Sequence, residues 1–197
     1  MAGELAPGSS ARPEAIGAEL GISTTPAREA LQLLRAEGFL ELSPGRGFTV
    51  APMTGSDVRD LFTAQALLAG ELAARAAERA TDSDLVALDE IHADLVEAAR
   101  RHDTVALEAH NHAFHRLINH TADARKILWM LGIVTRYVPR EFYGSIPGWP
   151  ESTMDDHGAL LEAIRARDTA AARAAMESHI LHAGALLAAN FDTRTAG

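Results

Sequence analysis

The sequence of 197 residues contains no cysteine, few aromatic residues and no surplus of positive charge. Without cysteine there is neither a disulfide framework nor a thiolate metal site, so any metal must be held by His, Asp, Glu or Asn. No stretch approaches the ~18 apolar residues of a membrane span, and the N-terminus lacks a basic segment followed by an apolar run. We therefore expect a cytoplasmic protein without a membrane partner.

Composition favours a folded, mainly helical protein. Hydrophobic residues make up 47% of the chain, as in globular proteins. Alanine, leucine and arginine recur at helical spacing, whereas isoleucine, valine and aromatic residues are sparse. The formal net charge of −9 argues against a general affinity for polyanions, although it is compatible with a local basic face. We predict a mainly α fold.

The first fifty residues predict two short helices followed by a β-hairpin. Apolar spacing, with Pro13 and Pro26 in first turns, indicates helices over 13–20 and 24–37, and Gly38 ends the second. Residues 39–50 form two short apolar runs around a Ser-Pro-Gly-Arg-Gly turn. This order is typical of a winged helix-turn-helix, although a small α+β element of no special purpose would look the same. We place this domain at residues 1–52.

The second predicted helix has a polar face suited to DNA. On a helical wheel Ala27, Ala30 and Leu34 share one arc, and the polar side chains share another. Arginine, glutamine and threonine can contact base edges or phosphates, and glycines beside Arg46 would let the hairpin approach a sugar–phosphate strand. An ordinary solvated face is the alternative. The predicted DNA-binding residues are Thr25, Arg28, Gln32, Arg35, Arg46 and Gly47.

The stretch LGISTTPAREALQLLRAEGFLELSPGRGFTV resembles the winged helix-turn-helix of GntR-family bacterial transcription regulators. The resemblance implies that Arg28 contacts operator DNA and that Arg46 lies at the wing tip. The sequence departs from the family at Glu14 and Thr24, where arginine is usual. It also starts at the segment that usually follows the family's first helix, so we expect that helix to be absent. Residues 1–52 contain four arginines, no lysine and six glutamates, so we expect weak, salt-sensitive DNA binding.

From residue 56 onward the sequence predicts an antiparallel helical bundle, which we place at residues 56–190. Asp82, Asp103 and Asp168 are suited to cap helices, and residues 144–150 are rich in glycine and proline, which indicates a loop. The predicted helices are 56–79, 83–101, 104–119, 123–143, 152–166 and 169–190.

Several polar side chains fall on the apolar faces of these helices. On helical wheels the inward polar residues are Asn111, His115, His157 and His179, whereas His112 and His120 face outward. An unpaired buried polar group costs about 1–3 kcal/mol. A shared metal ion would satisfy all four, but separate hydrogen bonds in the core would serve as well.

The segments NHAFHRL, HGALLEAIRARD and MESHI resemble the ligand-binding domain of the FadR subfamily, known as the FCD domain, over about residues 56–188. The resemblance implies a divalent metal ion. We expect zinc, although nickel or manganese would suit such nitrogen-rich ligands. An aspartate is commoner than asparagine at one ligand position, and a neutral amide is the weaker ligand, so we expect an exchangeable metal. The implied ligands are Asn111, His115, His157 and His179.

A carboxylate effector could occupy the coordination positions that four protein ligands leave open. Arg136 and Arg140, spaced four apart, could pair with another acidic or hydroxyl group of the effector, although an exposed bundle surface would show the same spacing. Where the family often has an arginine and a glutamate, this chain has Gln65 and Ala69. Effector specificity therefore cannot be transferred from relatives.

We predict a homodimeric transcription regulator, not an enzyme, that binds operator DNA and is controlled by an organic acid bound at or near the metal. A metal-dependent enzyme stays open as an alternative, because Asp155, Asp156 and Glu162 lie near His157 in the sequence. The other alternative is an effector sensor with a degenerate DNA-binding half.

Overall fold

The computed structural model describes residues 5–137, 146 and 148–195, with side chains as far as residue 192. The chain divides into two compact units, Met1–Met53 and Thr54–Gly197. Among the helices of these described residues, none combines the length and apolar character needed to cross a bilayer.

The first unit contains two helices and a hairpin in the predicted order, which confirms the winged helix-turn-helix. The strands pair antiparallel, with Leu40 opposite Val50 and Ser43 opposite Gly47. Residues 5–12 contain no helix, and Ser10 forms a bridge to Thr49 that the sequence pattern did not indicate. The elements are α1 (Pro13–Leu20), α2 (Thr24–Ala36), β1 (Leu40–Ser43) and β2 (Gly47–Val50).

Helix α2 ends at a left-handed glycine. Gly38 has φ +83°, and the N–H of Phe39 donates to the carbonyl of Leu34 at 2.9 Å. This bond satisfies a carbonyl that the helix end would otherwise leave unpaired. It also turns the chain into β1, so that the hairpin follows α2 directly.

The buried face of α2 lies one position away from the predicted one. Ala27 and Leu31 are buried, but Ala30 is exposed and Leu34 is 38% exposed. The hairpin explains the difference, because Leu31 belongs to a small core with Leu40, Phe48 and Val50. The prediction for Ala30 and Leu34 was therefore wrong, since it ignored where the hairpin would pack.

The second unit is a helical bundle, which confirms the predicted fold class. Helix α3 packs along α8, and α7 packs against both α4 and α8. At the α3–α8 contact, a Cβ on Gly184 would lie 2.5 Å from Phe62 Cβ, so only glycine permits this close approach. The helices are α3 (Gly55–Arg79), α4 (Asp82–Arg100), α5 (Thr104–Thr121), α6 (Arg125–Val134), α7 (Trp149–Arg165) and α8 (Thr169–Thr195), and a 3₁₀ turn (Thr135–Tyr137) follows α6.

Three predicted helices have clearly different limits in the structure, and one of them, α8, ends at Thr195 instead of residue 190. The helix expected over 123–143 begins at Arg125 and passes into the 3₁₀ turn at residue 135, and residues 138–145 lie outside the described part. Helix α7 begins at Trp149, within the segment predicted as a loop. Pro150 is compatible with this start because a proline in the first helical turn has no N–H to leave unpaired.

The helix caps agree with the prediction at two of three aspartates. Asp103 accepts from the N–H of Ala106 at 3.0 Å, and Asp168 accepts from Ala171 at 2.9 Å. Asp82 does not cap α4. Thr81 does, because its hydroxyl accepts from the N–H of Asp84 while that carboxylate accepts from the N–H of Thr81.

Candidate metal centre and effector cavity

Three histidines from three helices of the bundle converge at one point. His115 lies on α5, His157 on α7 and His179 on α8. The Nε2 atom of His115 is 3.1 Å from that of His179 and 3.3 Å from that of His157. One ring nitrogen from each residue lies within 4.8 Å of the other two. The structure therefore brings together the three histidines that helical periodicity placed inward.

Burial keeps two of these imidazoles uncharged. Burial, together with smaller effects from the neighbouring His179 and His112, lowers the pKa of His115 to about 3. Burial also lowers the pKa of His157 well below its usual range, with smaller effects from the surrounding histidines. A neutral imidazole has only one N–H, so these converging nitrogens cannot all be paired through protons. A divalent cation would be a suitable common partner for their lone pairs.

A carboxylate holds the far nitrogen of His179. The Oδ2 atom of Asp156 lies 3.3 Å from His179 Nδ1 and 3.2 Å from His182 Nδ1, and it accepts a hydrogen bond from the Ser152 hydroxyl at 3.3 Å. The hydrogen bond with His179 is the main cause that lowers the pKa of Asp156. A proton on Nδ1 leaves the Nε2 lone pair directed at the other histidines, as in metal sites where a carboxylate orients a ligating imidazole.

Packing fixes the other rings. Phe114 stacks on His157 with 4.2 Å between ring centroids and an interplanar angle of 13°. The rings of His115 and His179 are also nearly parallel, with centroids 5.0 Å apart. These contacts hold the imidazole planes in place before any ligand binds.

Asn111 offers an oxygen on the same helix as His115, one turn earlier. Its Oδ1 atom is buried and has no hydrogen-bond partner among the described residues. Asn111, His115 and His179 line one cavity. An unpaired carbonyl oxygen in the cavity that two of the three histidines line matches a mixed nitrogen and oxygen donor set for zinc, nickel or manganese. The residues present therefore fit a divalent metal.

The sequence interpretation missed a further histidine beside this cluster. The ring of His92 on α4 lies 6.3 Å from that of His157 and 6.2 Å from that of Phe114. Burial lowers its pKa. The helical wheel would have found it, because His92 shares the face of the buried residues Leu88 and Leu95 at spacings of four and three.

The cavity beside the cluster has a volume of about 680 Å³, which is in the range of small-molecule sites. Arg136 lines it, as do His112 and His120, which the helical wheel placed outside the apolar arc. Gln65 and Ala69 contribute from α3. Arg140 lies outside the described residues, so the predicted pair with Arg136 has no structural description.

The candidate DNA-binding residues are exposed on the first unit. The backbone of Arg46 is held by Ser10, whose hydroxyl donates to the Arg46 carbonyl at 3.2 Å, and by a hydrogen bond from its N–H to Ser43 at 3.1 Å. On α2, Arg28 forms an ion pair with Glu14 of α1, with 3.3 Å between Nη2 and Oε1. The exposed candidates are Thr25, Arg28, Gln32, Arg35, Arg46 and Gly47.

Two protein-family models match this chain. The FCD domain matches residues 60–182, and the bacterial regulatory proteins of the gntR family match residues 1–50. The chain belongs to the GntR family of transcription regulators with an FCD domain. Its domains and relatives are those of transcription regulators, which confirms the prediction that it is not an enzyme.

Relatives of this GntR-family chain are distant in sequence. A match to the Nta operon transcriptional regulator of Aminobacter aminovorans is 36% identical over 73 residues, which cover 37% of this chain and 35% of that protein. The Glc operon transcriptional activator of Escherichia coli (strain K12) is 24% identical over 186 residues, covering 82% of this chain and 73% of the activator. The solved structure of E. coli McbR/YncC has the same fold, with a TM-score of 0.69 and 24% identity over 99% of this chain and 92% of that one.

Proposed function

We propose that this GntR-family regulator senses an organic acid at a metal ion in its FCD domain and that the acid changes its affinity for operator DNA. One observation carries the proposal. The Nε2 atoms of His115, His157 and His179 converge within hydrogen-bond distances beside a cavity of about 680 Å³. A nitrogen cluster that opens onto a cavity can hold a metal and still leave it accessible to a small molecule.

The proposed metal ligands are Asn111, His115, His157 and His179, with Asp156 behind His179. Zinc is the proposed metal, with nickel and manganese as the alternatives that the same donor atoms accept. When bound, the metal supplies a positive centre for a carboxylate of the effector. The chain's own residues hold His115 and His157 neutral and fix the orientation of the imidazole rings.

Charge in the cavity supports an acidic effector. Among the described residues, Arg116 and Arg136 line it together with four histidines, against a single carboxylate, that of Glu108. Guanidinium groups bind carboxylates through paired N–H donors, so they can bind the same carboxylate as the metal or a hydroxyl group of the effector. We propose Arg136 as an effector contact, and Arg140 remains part of this proposal from the sequence.

Operator binding is assigned to the first unit. The exposed polar face of α2 and the glycine-flanked Arg46 supply contacts for bases and phosphates. We propose a homodimer that acts in the bacterial cytoplasm and reads a pseudo-palindromic site. The acid controls this binding only if its affinity differs between the DNA-bound and free states.

Two observations favour the second candidate, a sensor with a degenerate DNA-binding half. Glu14 forms an ion pair with Arg28, the arginine that would contact DNA, and the unit carries more glutamate than arginine. Both features lower the attraction to phosphate.

A fluorescence anisotropy titration with the promoter DNA of the protein's own operon tests both candidates. At low salt, we expect saturable binding that weakens as salt rises, and a change in affinity when an organic acid is added to metal-loaded protein but not to His115→Ala. Absence of binding at low salt would favour the degenerate sensor. Binding that no acid changes, in metal-loaded or chelated protein, would contradict the proposed sensing role.

A further inference from the structure

We propose that Gln65 binds an uncharged hydrogen-bonding group of the effector and thereby selects a monocarboxylate with an apolar body and one hydroxyl or carbonyl group. The inference rests on the proposed effector site in the FCD domain. It adds a residue that determines which acid fits that site.

Gln65 is a buried polar side chain on the wall of the cavity. It is only 4% exposed, and its Nε2 atom has no hydrogen-bond partner among the residues that the structure describes. An unpaired buried donor destabilises the protein. A ligand that accepts a hydrogen bond from this N–H removes that cost. A stability role would place a partner within the protein, so the unpaired amide points to a ligand.

The surroundings of Gln65 define the ligand group that it can contact. The other cavity residues of α3 are Phe62, one turn before Gln65, and Ala69, one turn after it. Trp149, Ile180 and Ala183 of α7 and α8 also line the cavity. These side chains give the cavity an apolar wall. The charged lining residues lie elsewhere, on α5 and around the 3₁₀ turn. The effector therefore needs an apolar body on the α3 side.

The lack of charge on Gln65 excludes a second carboxylate at this wall. A carboxylate placed against a neutral amide in an apolar setting would lose its hydration without gaining a cationic partner. A hydroxyl or carbonyl group loses far less on transfer and can pair with the amide. The α3 wall thus discriminates between a hydroxylated monocarboxylate and a dicarboxylate of the same length.

Calorimetric titration of metal-loaded protein with hexanoate, ω-hydroxyhexanoate and hexanedioate tests this assignment. In the wild type, ω-hydroxyhexanoate should bind roughly 3- to 10-fold more tightly than hexanoate, as one net hydrogen bond provides, and hexanedioate should bind least. Gln65→Leu should lose the preference for the hydroxyl, and Gln65→Arg should prefer hexanedioate. Thr63→Val, which removes an exposed hydroxyl from the same helix, should keep the wild-type order.

A second readout separates ligand binding from a structural role. Without any acid, Gln65→Leu should unfold at a higher temperature than the wild type, because it removes an unpaired buried polar group. A lower unfolding temperature would identify Gln65 as a structural residue and overturn the inference. So would wild-type protein that binds hexanedioate most tightly, or Gln65→Leu with the wild-type order. If metal-loaded wild type binds none of the three acids, the proposed function fails and the inference fails with it.

Discussion

Asp156 contacts the Nδ1 atom of His179 at 3.3 Å, on the opposite side of the ring from the Nε2 atom that meets His115. The carboxylate therefore fixes both the tautomer and the direction of His179. This contact supports a role for Asp156 in orienting a ligand of the proposed metal centre, although the sequence had suggested Asp156 as a catalytic group of an enzyme.

Removing this carboxylate should weaken metal binding. In Asp156→Ala, His179 loses the partner of its Nδ1–H, and we expect a 10- to 100-fold lower zinc affinity. Competition with a chromophoric chelator measures it. The exposed neighbour Asp155 provides the matched control, since Asp155→Ala removes the same charge one position away. Equal zinc affinity of the two variants would show that Asp156 does not orient a ligand.

Asn111 should limit the metal affinity of this chain. An ionised carboxylate is a stronger ligand than a neutral amide oxygen, so Asn111→Asp should bind zinc more tightly than the wild type, by about 10-fold or more. Asn111→Leu should bind it more weakly. The same chelator competition compares the three proteins. If both substitutions leave the affinity unchanged, Asn111 does not contact the metal.

The metal-free protein should lose stability in acid because His115 stays neutral in the fold. Its pKa falls from 6.5 to about 3 on folding. At a pH between these two pKa values, the unfolded chain binds a proton at His115 that the folded chain does not. The unfolding free energy therefore decreases as pH falls. Below the lower pKa, His115 is protonated in both the folded and the unfolded state, and above the upper pKa it is protonated in neither. The slope from this group is at most about 1.4 kcal/mol per pH unit.

Urea unfolding of chelator-treated protein at about pH 7 and about pH 5 checks this dependence. His115→Leu should show a smaller loss of stability between the two conditions than the wild type. An equal loss in both proteins would mean that His115 is protonated to the same extent in the folded and unfolded states.

Glu14 should weaken operator binding through Arg28. The two side chains are 3.3 Å apart and largely exposed, so the pair itself contributes little stability, but Glu14 also repels phosphate. Glu14→Gln should therefore bind promoter DNA about 2- to 5-fold more tightly at low salt. Glu19→Gln, which changes the same charge on an exposed position of α1, is the control. Equal affinity of the two variants would show that the ion pair does not restrain Arg28.

Periodicity predicted the parts of the site that depend on one helix at a time. His115, His157 and His179 could be placed inward because each shares a face with apolar neighbours. The buried face of α2 was predicted wrongly, because the position of the hairpin decides whether Leu31 or Leu34 is covered. Contacts between helices could not be predicted from the sequence either.

Asp156 and Gln65 illustrate that limit. Asp156 directly precedes His157, so the wheel turns it away from the core, and only the packing of α7 on α8 brings it to His179. Gln65 looks like a surface residue by type, and only the bundle around α3 buries it. The capping box at Thr81, by contrast, is visible in the sequence as Thr-Asp-Ser-Asp and could have been predicted.

The proposal that the three histidines hold one metal ion is tested most directly by metal analysis of the purified protein. Wild type and His102→Asn, in which an exposed histidine outside the cluster is replaced, should carry stoichiometric amounts of one divalent metal after exposure to zinc and removal of the excess. His115→Ala should retain little of it. Equal metal content in His115→Ala and His102→Asn would contradict the assignment of the cluster as the metal centre.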